Sequence, residues 1–149
     1  MNKTAYCLPL LLAVAGGAQA QSQSNAACPQ LAAESGLAWQ HKATADSDLC
    51  RALRSDGTEA FGLYIANETP FKPSRSNRAE QATIDGHEIT WYRSELAAQP
   101  GVEARETRLQ LDDGRVAHVW IQATTAAQLS EALQHTQAMR FQSARLSIK

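Results

Sequence analysis

The chain has 149 residues, with 14 basic and 15 acidic side chains for a net charge of −1, and 44% of its residues are hydrophobic. That length is enough for one domain with its own core. The near-balanced charge excludes the clustered Lys and Arg with which a protein tracks nucleic acid or an anionic membrane.

The first twenty residues carry an address. Lys3 supplies a positive start, Ala5 to Gly17 an apolar run, and Ala18-Gln19-Ala20 a small-x-small cleavage site, the pattern of a secretory signal peptide over 1–20. The apolar run is too short for a membrane span, and no second such run follows. The expected mature protein starts near Gln21, has about 129 residues, and is periplasmic or secreted. Lys3 is the only charged side chain removed, so 13 basic residues then face 15 acidic ones. Residues 21–27 read as a flexible polar lead-in, 28–145 as a single domain and 146–149 as a tail.

Cys7 leaves with the signal peptide, so Cys28 and Cys50 remain as one possible disulfide in an oxidising compartment. Closing a loop of about twenty residues is worth roughly 3 kcal/mol. No Cys-x-x-Cys occurs, which argues against redox chemistry and covalent haem. Asn67-Glu68-Thr69 is a glycosylation triplet only in a eukaryotic secretory route, and Pro70 follows it directly.

A short helix is expected from about Pro29 to Ser35, then a strand over Leu37 to His41. Leu49 to Arg54 is ambiguous, since Asp46-Ser47 can also cap a short helix. Further strands are expected over Ala60 to Ala66, His87 to Arg93, Glu106 to Leu111 and Val116 to Ala123, all rich in β-branched or aromatic residues. Ser55-Asp56-Gly57, Ile84-Asp85-Gly86 and Asp112-Asp113-Gly114 mark hairpins, because Gly takes the positive φ a tight turn demands. Thr69 to Arg78 is rich in Pro and Ser and reads as a long exposed loop. Thr125 with Gln128 forms a capping pair, and Leu129, Ala132, Leu133 and Thr136 recur at helical spacing through about Met139. The expected class is α+β: an antiparallel sheet of consecutive hairpins, with a C-terminal helix and the short N-terminal helix on one face.

The register of the last hairpin decides the functional reading. A three-residue turn with Gly114 left-handed pairs Leu111 with Arg115, Leu109 with Ala117 and Thr107 with Val119. Leu109, Ala117, Val119 and Ile121 then face the core, while Arg108, His118 and Trp120 share the opposite face. A two-residue turn would slip the pairing by one and bury His118 and Trp120; the first register separates apolar from polar more cleanly. In His87 to Arg93, alternation sends Ile89 and Trp91 to the core and Tyr92 to the side of His118 and Trp120. Arg108 is placed to stack on either ring. Trp120, His118, Arg108 and Tyr92 are therefore the candidate partner-binding residues.

Catalytic and cofactor signals are weak. His41, His87, His118 and His135 never occur as His-x-His or His-x-x-x-His, so no metal site is expected, and no Gly-x-Ser-x-Gly elbow occurs. Glu88, Glu95, Glu103 and Glu106 lie on or near strands, where solvated carboxylates are ordinary. The leading expectation is a small periplasmic or secreted binding protein without enzymatic activity or cofactor, of the inhibitor or immunity type, holding a protein partner by one sheet face. A carrier or sensor of a small apolar ligand and an envelope-polymer hydrolase are the alternatives.

Overall fold

A computed structural model describes residues 27–94 and 99–142. The expected signal peptide, most of the expected lead-in, Glu95 and the expected tail lie outside the described residues. Seven strands form one antiparallel sheet: β1 (Ala38–Ala43), β2 (Ser47–Leu53), β3 (Glu59–Ala66), β4 (Arg78–Ile84), β5 (His87–Arg93), β6 (Glu103–Gln110) and β7 (Val116–Ala123). Their order is β1-β2-β3-β7-β6-β5-β4, and helix α1 (Ala126–Gln137) follows β7. The class is α+β, with two meanders, β1–β3 and β4–β7, joined where β3 pairs β7.

The three Asp-Gly turns close β2–β3, β4–β5 and β6–β7. In the last, Leu111 N–H donates to Arg115 O at 2.8 Å and Gly114 sits at φ 88°, so the turn has three residues. Leu109 consequently pairs with Ala117 and Thr107 with Val119. Leu49 to Leu53 is strand: β2 is paired on both sides, and Ser47 bonds Thr44 across the β1–β2 turn instead of capping a helix.

The N-terminal helix expected over Pro29 to Ser35 is a correction. Only a 3-10 turn, Ala33–Ser35, forms there. Gln30 exchanges two backbone hydrogen bonds with Arg140, at 2.7 and 3.1 Å, which demands extended backbone at the position where a helix would start. Cys28 is bonded to Cys50, 5.9 Å away between Cα atoms, and so ties this segment to β2.

One sheet face carries Phe61, Leu63, Ile65, Val119 and Ile121, and α1 covers it with Leu129, Ala132 and Thr136. Thr125 Oγ1 accepts the Gln128 N–H at 3.1 Å, while Gln128 Oε1 accepts from Thr124, one residue further back than a symmetric capping box. Trp91 and Ile89 lie in this core. A β-bulge in β4 between Arg78 and Gln81 lets Glu80 reach buried Arg105, which donates to it through Nε and Nη2 at 2.9 and 3.0 Å.

The β5–β6 ladder is confined to Tyr92↔Glu106 and Arg93↔Arg105. Beyond it, Thr107 Oγ1 donates to Thr90 O at 2.8 Å, a side chain replacing the backbone rung. No helix among the described residues is long and apolar enough to cross a membrane.

Candidate functional site

The face opposite α1 is assembled by pairing. Arg108 lies opposite His118, Glu106 opposite Trp120, and Tyr92 opposite Glu106. Alternation from the buried Val119 and Ile121 puts His118 and Trp120 on this second face. Tyr92, Arg108, His118 and Trp120 thus occupy three adjoining strands of the face opposite α1, which is helix-free among the described residues; Arg108 is exposed and the other three are half-buried.

Gly62 faces Trp120 across the β3–β7 ladder. A Cβ at Gly62 would lie 2.3 Å from Trp120 Cζ2, so the indole fits over β3 only because the side chain there is hydrogen. Trp120 Nε1 donates to Glu59 Oε1 at 2.8 Å. Glu59 Oε2 accepts from Arg51 Nε at 2.6 Å, and Arg51 Nη1 donates to Gln40 Oε1 at 2.9 Å. The ring is therefore held from below by backbone and at its edge by a chain of polar groups reaching to β1.

Residues 69–78, expected as a long exposed loop, are irregular and exposed or half-buried through Ser74 and then enter the 3-10 turn Arg75–Asn77 and the start of β4; within them Phe71 is half-buried against the sheet. Its ring stacks on His118 at 5.0 Å with the planes 2° apart, and meets Tyr92 edge-on at 5.9 Å. The cation–π stacking expected of Arg108 is not found: Arg108 is exposed, and it is Phe71 that stacks on His118. Phe71 is the residue that strand reasoning missed. The signal available was an aromatic between Pro70 and Pro73 in a loop otherwise polar. Glu59 was also missed, because a bulge between β2 and β3 turns it to the Trp120 side, out of simple alternation.

His118 Nε2 is buried and lies 3.3 Å from Glu106 Oε1, an electrostatic contact without hydrogen-bond geometry. The imidazole beside it, with help from the Ser94 hydroxyl, holds the Glu106 carboxyl below its ordinary value against the opposing effect of burial. A cleft of about 220 Å³ opens next to this pair, lined by Ser94, Ala104, Glu106, Trp120, Ile121 and Gln122.

Elsewhere, His41 pairs with Asp48 at 2.8 Å and His135 with Glu131 at 3.4 Å. No group of three or more His, Cys, Asp or Glu among the described residues is placed to hold a metal. No protein-family model, curated protein sequence or solved structure matches the chain.

Proposed function

We propose that this is a small secreted or periplasmic binding protein without enzymatic activity, of the inhibitor or immunity type, which holds a protein partner by the helix-free face of its sheet. The observation that supports this reading is the layer formed by Phe71, Tyr92, His118 and Trp120, rings left half-buried on a sheet face over which no helix of the described residues lies. Exposed Lys72, Arg78 and Arg108 adjoin these rings along the chain or across a strand pair. Aromatic anchors with neighbouring Arg are the composition of interface hot spots. The Cys28–Cys50 disulfide favours an oxidising, extracytoplasmic compartment.

The test is co-precipitation of the mature, disulfide-bonded protein with its native envelope or secreted fraction. Wild type is expected to retain a discrete partner, and Arg108→Glu to lose it while unfolding at the same temperature, since Arg108 is exposed. Trp120→Ala is expected to weaken binding by on the order of 2 kcal/mol, about thirtyfold. Retention unchanged in both variants would rule the face out.

A further inference from the structure

The cleft beside Trp120 has an acceptor-rich, one-signed lining. Glu106 is its only charged side chain among the described residues; Ser94 and Gln122 add a hydroxyl and an amide, and Trp120 contributes an aromatic wall. The small Ala104, paired with Gln122, leaves the hollow. An ionised carboxylate offers about four acceptor sites. His118, although 3.3 Å away, makes no hydrogen bond to it. The carboxylate therefore keeps acceptor capacity directed at a hollow that no cation of the described residues lines.

We infer that this cleft receives an arginine side chain from the protein partner, its guanidinium plane against Trp120 and its N–H groups on Glu106. This rests on the partner-binding reading of the face and names the chemistry at its centre. A guanidinium is the group that both stacks on an indole and forks onto a carboxylate. The indole is already positioned for it by Gly62 beneath and Glu59 at its N–H, so little ordering opposes binding. The volume of about 220 Å³ accommodates one such side chain and excludes a bulk ligand.

The probe is n-butylguanidinium, compared with n-butylurea, a neutral molecule of the same shape, titrated into the mature disulfide-bonded protein. The readout is the Trp120 indole N–H resonance, with those of Trp39 and Trp91 as internal controls. Butylguanidinium is expected to give a saturable shift of the Trp120 signal in the millimolar range. Butylurea, and the Glu106→Gln variant with butylguanidinium, are each expected to bind at least tenfold more weakly, a difference of about 1.4 kcal/mol. Gln122→Lys, which places a cation at the rim on an exposed position, is expected to abolish the shift even if Glu106→Gln disturbs folding. Equal shifts from both probes, no saturable shift, or a stronger response to maltotriose would each overturn the assignment. If the native partner is lost on Arg108→Glu yet held unchanged by Glu106→Gln and Gln122→Lys, the arginine site fails and the binding face stands.

Discussion

The sheet has two unequally secured regions. In the body, β1–β2, β2–β3 and β6–β7 pair along nearly their whole lengths, β3 and β7 pair from Gly62↔Trp120 to Ala66↔Val116, and the disulfide fastens Cys28 to β2. The β4–β5 hairpin joins that body through two residue pairs, and its remaining ties are mostly side chains: Glu80 on Arg105, Thr107 on Thr90, Phe71 on Tyr92 and Asp85 on the Phe141 N–H. A ladder distributes its loss over many backbone bonds, whereas side-chain ties fail one by one. The hairpin should therefore open at lower free energy than the body, and the candidate face spans both regions because Tyr92 belongs to the hairpin and Trp120 to the body.

Five perturbations break or sharpen this contrast. Replacing Cys28 and Cys50 together by Ala should lower global stability by roughly 3 kcal/mol, read by chemical denaturation, with body and hairpin losing protection together. Arg105→Ala should cost on the order of 3 kcal/mol, near the low end for breaking a buried pair because Glu80 is partly solvated. Here hydrogen exchange should rise first in β4 and β5; uniform acceleration across the sheet would contradict the two-region description. Gly62→Ala forces the indole of Trp120 off β3 and should cost about 2 kcal/mol as an overpacking change, accompanied by an altered Trp120 indole resonance.

Phe71→Ala removes one stacked and one edge-on contact and should destabilise by about 1 kcal/mol, while shifting the His118 and Tyr92 ring signals and leaving the core Trp91 signal in place. The smallest effect is on pH. Hydrogen bonds from Arg105 hold the Glu80 carboxyl below its ordinary value, and the imidazole of His118 beside Glu106 lowers that carboxyl too. A depressed folded-state value gives stability that is present above the unfolded carboxylate range, about pH 4.3, and is lost as pH falls through the lower folded value. Hydrogen exchange below that range should accelerate in β4 and β5 before β2 and β3, and Arg105→Ala should remove much of the difference.

The local features were legible because they depend on neighbours in the chain. The Asp-Gly turns, the 3.6-residue spacing of Leu129, Ala132, Leu133 and Thr136, and the alternation around Trp91 follow from backbone sterics and side-chain period. The three-residue turn at Gly114 carried register with it, which is why Arg108, His118 and Trp120 could be put on one face without knowing what the other strands do. Pro29 to Ser35 was misread as helix because its partner, Arg140, is more than a hundred residues away in sequence.

What the sequence alone determined is the α+β class, the hairpins, the C-terminal helix and the pairing of Cys28 with Cys50, the two cysteines left after the expected cleavage. Tertiary structure decided what surrounds the candidate residues. The crossover from β3 to the far edge strand β4 lays Phe71 over His118, and a bulge turns Glu59 to the Trp120 indole. Gly62 beneath that indole is an unremarkable strand residue until β7 lies beside it. Each of these contacts joins residues far apart in the chain, so no local period or turn preference encodes it; it exists only once the strands have found their order.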